Sequence, residues 1–331
     1  MTMGTSTVTR RAALFAGAGI LATPLLATGA RYARAEPPML GPARPTHYRF
    51  PLGDFEITML HDGARQLDGP YPIFGEDQDP ADVAAYAEEN FLPGHRMEIS
   101  FAPIVVNTGQ ELVLFDTGNA AGGQPDVGNT VERLEAAGYG ADQVDLVVIT
   151  HFHPDHIGGL MRDGGPAFPN ARYAVGRVEY DWWTSDAPVG TPREGQVGLI
   201  ESNVVPLAEA MSFIEDGEDV VSGISAVAAF GHSPGHMAFH LESNGNRFLI
   251  FADATNHYVM SLQRPDWHVV FDQDKDMAIE SRRRLLDMLA SERIPAAGYH
   301  MPFPAVGFVE RVQDSYRWLP ASYQLRVESG D

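Results

Sequence analysis

The chain contains no cysteine in 331 residues. That excludes disulfides, thiolate metal ligands and a cysteine nucleophile, so any metal must be held by histidines and carboxylates. Cations are scarce as well, with 23 Lys and Arg against 44 Asp and Glu and a formal net charge of -21. Such a charge repels nucleic acid and anionic membrane surfaces, which argues against a nuclease and leaves a small-molecule substrate as the expected partner. Long apolar runs are also missing. The stretch ending near Ala27 is roughly fifteen residues, short of the roughly twenty that span a bilayer, so no stable membrane insertion is expected once that segment is removed.

That stretch belongs instead to a targeting segment over residues 1–35. Thr9-Arg10-Arg11 opens it, small and apolar residues follow, and Ala33-Arg34-Ala35 offers a small-x-small cleavage site. The paired arginines point to twin-arginine export and hence to a periplasmic or secreted protein. Removing four Arg and no acids takes the charge to about -25. Residues 36–46 carry four prolines and read as an extended arm, which leaves 47–331 as the folded domain, two halves repeating one theme.

Within that domain, Tyr48 to Leu60 reads as two strands turning at Gly53-Asp54. The Gly- and Pro-rich loop from Pro70 to Pro80 carries Phe74, a candidate lid residue over a substrate pocket, and a helix follows behind Pro80. Phe101 to Thr108 and Glu111 to Phe115 read as a hairpin ending in Asp116, placed as a support behind the site. A helix over 130–137 and a strand over 144–150 give the α/β pattern. Beyond the strand Ala171 to Val175 a helix begins at Arg177; its adjacent Trp182 and Trp183 face different ways, so at most one is core and the other is free to wall a pocket. The second half brings strands ending at Phe230, Ala252 and near His300, and a helix over 277–291 whose Arg282-Arg283-Arg284 run reads as a solvated face.

Histidine is what the chain places at strand ends. His151-Phe152-His153-Pro154-Asp155-His156 follows a buried, β-branched run, and the period of two points His151 and His153 to one side, close enough to share an ion. Asp155 and His156 can point elsewhere and serve a second ion. The HxHxDH spacing resembles the signature of the metallo-β-lactamase superfamily. That resemblance implies a four-layer αβ/βα sandwich and further ligands downstream, where His232 in Gly231-His-Ser-Pro-Gly-His236, Asp253 and His300 all fall at strand ends. Carried over from the dinuclear branch, site one is His151, His153 and His232, site two is Asp155, His156 and His300, and Asp253 bridges them. Two divalent ions are implied, with zinc the expected metal.

The segments Leu52-Gly-Asp-Phe-Glu-Ile-Thr58, Leu114-Phe-Asp-Thr-Gly118 and Ala167-Phe-Pro-Asn-Ala171 are similar to the methyl parathion hydrolase and lactonase-like group. The chemistry implied is hydrolysis of an ester-type bond by a hydroxide shared between two ions, with Asp155 and Asp253 as the catalytic carboxylates. A small neutral lactone or aryl ester is the expected substrate, and a phosphotriester the alternative. Asn256 stands where similar acyl-homoserine lactonases carry a Tyr three residues after the bridging Asp, which argues against homoserine-lactone activity of the usual kind; it and the His257 that follows are candidate pocket residues. A β-lactamase would carry Cys or Ser in place of Asp253. A glyoxalase II-like thioesterase would need a helical domain that the short stretch after His300 does not provide, and a diiron redox protein would need a flavin module or other ligands.

Overall fold

A computed structural model describes residues 38–322, apart from 42 and 125. The targeting segment lies outside the described residues, and the described part of the 36–46 arm carries no strand or helix. The described residues from Arg44 onward form one compact unit. No described helix is long and apolar enough to cross a membrane.

Two seven-stranded sheets build that unit. The first runs, in spatial order, His47–Leu52, Phe55–Leu60, Ile104–Asn107, Leu112–Phe115, Leu146–Ile149, Arg172–Gly176 and Met211–Ile214. The second runs Asp219–Val221, Ile224–Ala228, Met237–Ser243, Asn246–Ala252, Ala296–Gly298, Val306–Val312 and Ser315–Pro320. Strand Leu146–Ile149 lies parallel to both its neighbours and is buried throughout, which is why it reads as an unbroken apolar run rather than an alternation. Its side chains split between two cores. Leu146 and Val148 join the core between the sheets, where Phe115 meets Phe239 with ring centroids 5.1 Å apart, and Val147 and Ile149 face the helices on the outer side. Leu285, Leu286 and Leu289 of the helix Lys275–Glu292 pack on the second sheet. The layers are therefore helix, sheet, sheet, helix.

Two sequence expectations change. The Phe101 to Thr108 run is not one strand: Arg96–Phe101 pairs with Gly63–Asp68 in a separate ribbon, and Ile104–Asn107 begins anew beyond Pro103, whose ring nitrogen cannot donate to a ladder. The Arg282–Arg284 run is not a solvated face either, because Arg282 is 0 % exposed. It lies on the inward stripe of its helix with Ala278, Leu285, Leu286 and Leu289.

Parallel neighbours end at the same edge of a sheet. Phe115 and Ile149 in the first sheet, and Ala252 and Gly298 in the second, therefore deliver the residues that follow them to a common place. The sheets are stitched there by Met237 N donating to Thr150 O at 3.0 Å.

Candidate metal centre

Seven side chains meet at this edge. His151, His153, His232 and Asp253 form one group of mutually close donor atoms, and Asp155, His156 and His300 form a second. In the first, His151 Nε2 lies 2.9 Å from His153 Nδ1, and His232 Nε2 lies 2.9 Å from His153 Nδ1 and 3.2 Å from His151 Nε2. Asp253 reaches both groups: its Oδ2 is 3.3 Å from His232 Nε2 and 3.1 Å from His300 Nε2, and its Oδ1 is 3.5 Å from His156 Nε2. Asp155 Oδ2 is 3.4 Å from His300 Nε2.

The outer nitrogens say which atoms carry protons. Thr150 Oγ1 donates to Asp116 Oδ2 at 2.9 Å and can therefore accept from His151 Nδ1 at 3.0 Å. His156 Nδ1 donates to Asp116 Oδ2 at 2.8 Å, His232 Nδ1 to Asp272 Oδ1 at 2.9 Å, and His300 Nδ1 to Ser100 O at 2.9 Å. The inner Nε2 atoms of these four rings are then bare acceptors. His156 Nε2 and Asp253 Oδ1 are buried without any hydrogen-bond partner. Bare ring nitrogens and carboxylate oxygens converging across about 3 Å, two of them buried without a partner, are what a divalent cation satisfies, and an all-His and carboxylate set suits zinc. The residues present fit two ions.

Electrostatics divides that donor set: against burial, the neighbouring carboxylates of Asp116, Asp253, Asp155 and Asp272 raise His156, His232 and His300 above the ordinary imidazole range, the same negative field that favours a cation here. Burial, reinforced by neighbouring imidazoles, holds His151 and His153 well below the ordinary imidazole range, so both stand ready as neutral ligands. Burial would raise Asp253, but His300 and His156 hold it well below the usual carboxylate range. His236, the second His of the Gly231–His236 turn, is lowered to about 3 by burial. Its neutral Nε2 accepts from Asp253 N at 3.1 Å and so fixes the backbone of the shared carboxylate.

Supports that sequence reasoning missed are Thr150, Ser100, His236, Asp272 and Arg282. The guanidinium of Arg282 donates to Asp272 Oδ2 at 2.6 Å, to Ala254 O at 2.9 Å and to Pro265 O at 2.9 Å, and it holds the Asp272 carboxyl below the usual range against burial. Asp116 stands behind His156, where its place at a strand end puts it.

The pocket residues fare less evenly. A cavity of about 700 Å³ adjoins the second group, lined among others by His300, His61, His257, Tyr258 and Phe303. His257 is on its surface. Asn256 is buried, donating from Nδ2 to Asp253 Oδ2 at 3.1 Å, and so acts on the carboxylate rather than on the cavity. Phe74 is corrected: it is fully buried, edge-on to His257 with centroids 5.3 Å apart, because its loop packs down and bridges to Val269. Trp183 is corrected likewise. It is 1 % exposed in the outer core, with its Nε1 donating to Glu179. Trp182 packs half-buried on the same cluster, perpendicular to Trp183, and neither Trp lines the cavity beside His300.

A sequence profile of the metallo-beta-lactamase superfamily matches residues 103–297. An N-acyl homoserine lactonase of Bacillus thuringiensis is 25% identical over 163 residues, 49% of this chain and 58% of that enzyme. The match thus spans little more than half of that relative's length. Among solved structures, the beta-lactamase-superfamily hydrolase AbOPH superposes with a TM-score of 0.78 at 26% identity, covering 85% of this chain and 99% of that one. AidC, a dizinc quorum-quenching lactonase, also gives 0.78, at 24% identity over 84% of this chain and 98% of its own, a likeness of fold.

Proposed function

The chain belongs to the metallo-beta-lactamase superfamily, and on that premise we propose that it is a dinuclear metal-dependent hydrolase that cleaves small neutral lactones or aryl esters. The observation that carries this is the convergence of His151, His153, His232, Asp155, His156 and His300 around the Asp253 carboxylate. His151, His153 and His232 would hold one ion, Asp155, His156 and His300 the other, and Asp253 both. When bound, two such ions supply Lewis acidity that acidifies water and polarises a carbonyl or phosphoryl oxygen.

The chain's own residues do the rest. Asp155 has the most exposed side chain of the seven, at 22%, so its carboxylate is the one placed to exchange a proton with the cavity beside His300 while the other six stay covered. The cavity at His300 is lined in part by the rings of Tyr258 and Phe303, and Arg44, the arginine among its described lining residues, is paired with Glu98 at 2.6 Å. With no unpaired Lys or Arg among the described residues that line it, the cavity favours a neutral substrate over an anionic one. We further propose export by the twin-arginine route on the strength of Arg10 and Arg11.

The test is a panel of lactones, aryl esters and phosphotriesters against protein loaded with zinc and analysed for metal. About two ions per chain and the highest kcat/KM on a lactone or aryl ester are expected. Phosphotriesters as the best substrates would reverse the ranking, and a stoichiometry near one would contradict the shared role of Asp253.

A further inference from the structure

Behind the first group of ligands lies a buried carboxylate that binds nothing in the metal centre and yet touches both loops that carry the group's three histidines. Glu179, on the helix Arg177–Trp183, is 0 % exposed. Its Oε1 accepts from Phe152 N at 2.8 Å and from Trp183 Nε1 at 2.9 Å. Its Oε2 accepts from Ser233 Oγ at 2.7 Å and from Gly235 N at 2.8 Å. Phe152 sits between His151 and His153, and Ser233 follows His232. One loop leaves the first sheet and the other belongs to the second, so the carboxylate ties across the sandwich. A second feature of the structure agrees: a Cβ on Gly235 would lie 2.1 Å from Glu179 N, so only glycine lets the turn press this closely on the helix.

We propose that Glu179 is the positioning residue of the first metal group, setting the spacing of His151 and His153 against His232 so that the three nitrogens are assembled before an ion arrives. All four partners are donors, and only an acceptor with two oxygens answers all of them. Glutamine cannot. Its amide nitrogen would face either the Gly235 or the Phe152 N–H, donor against donor, and release one loop. Trp183 thereby acquires a role apart from any pocket, since its indole N–H holds Oε1 from the helix side. The second group is independent of this clamp: His156 is fixed by Asp116 and His300 by Ser100.

The inference rests on the metal-centre reading, and the experiment separates the two. In a His300→Ala background the first group alone keeps all its ligands, and in a His232→Ala background the second does. Zinc affinity is read by competition with a chromophoric chelator. Adding Glu179→Gln should weaken binding by about 10- to 100-fold in the first background and by no more than about two-fold in the second. Equal losses in both would show a general effect on the fold and overturn the inference, as would no loss in the first. A His300→Ala parent that binds no zinc would overturn the metal-centre reading and this inference with it. Should Glu179→Gln fail to fold, Ser233→Ala removes a single donor and should weaken the first group alone by a smaller factor; unchanged affinity there would be decisive against the clamp.

Discussion

Replacing Arg282 with Met should cost more stability than any exposed charge in the protein, and the reason is geometric. The side chain is fully buried and donates to three acceptors, the Asp272 carboxylate at 2.6 Å and the carbonyls of Ala254 and Pro265, both at 2.9 Å. Met fills much of the volume and answers none of them. Stranding a buried carboxylate costs about 3–5 kcal/mol, and each unmet carbonyl about 1–3 kcal/mol, so a total of about 5 kcal/mol or more is expected. That is a large share of the roughly 5–15 kcal/mol that holds a folded protein together. Removing the stranded charge as well, in Asp272→Leu with Arg282→Met, should restore the about 3–5 kcal/mol owed to that charge and leave the carbonyl share unrecovered. It should not restore the metal site, because His232 Nδ1 then has no acceptor, and zinc affinity should stay about 10- to 100-fold down. Urea midpoints of metal-free protein, followed by circular dichroism, give the first quantity, and chelator competition the second. The reasoning fails if Arg282→Met shifts stability by less than about 1 kcal/mol, within the range of surface substitutions. It fails equally if the double variant binds zinc as the parent does.

Three further outcomes follow from the same structure. Asp253→Ala should remove turnover and lower zinc stoichiometry from about two towards one while the circular dichroism spectrum is kept, since the residue lies beyond a strand end; a metal-replete, active variant would contradict its shared role. Burial lowers His257 to about 4, and its unprotonated Nδ1 accepts from Val259 N and Met260 N. The unfolded chain, titrating near 6.5, takes up that proton first, so the contribution is present above about pH 6.5 and is lost as pH falls to about 4, by up to about 3 kcal/mol; His257→Asn should flatten urea midpoints measured across that window. Arg10→Lys with Arg11→Lys should strand the protein in the cytoplasm, and continued export, read by fractionation, would point to a different route.

The convergence of the candidate metal-binding residues was legible in the sequence because their positions follow from two local rules, the apolar run of a buried strand and the polar residue that ends it. His151, Asp253 and His300 each obey both. The supports behind them were not legible, because they depend on which loop folds over which. Glu179 and Asp272 are single acids with no pattern around them, and only the packing of the two sheets gives them partners. Arg282 is different, for the signal was there: its place in the run Ala278, Arg282, Leu285, Leu286, Leu289 puts it on the helix's apolar stripe, and the neighbouring arginines masked it. The two tryptophans diverge as adjacent residues must, but helix docking alone decides that Trp183 is the inner one. Phe74 was misplaced for a related reason, since a long loop with aromatic residues packs down as readily as it hangs over a cavity.

The placement of the ligands also bears on when the centre can exist. His151, His153, Asp155 and His156 follow a strand of the first sheet, and His232, Asp253 and His300 follow strands of the second. Neither sheet alone completes either group: the first group needs His232 and the second needs His300. An ion bound at this edge therefore binds the packed sandwich and not the unfolded chain, and its binding energy adds to the cohesion of the two sheets. With no cysteine to cross-link them, the sheets are held by their shared core, by the Glu179 and Met237 contacts and, when loaded, by the metals themselves. A chain built this way gains by folding and loading where metal supply is controlled before it moves elsewhere, and that is the physical argument for the folded-protein export route that Arg10 and Arg11 suggest.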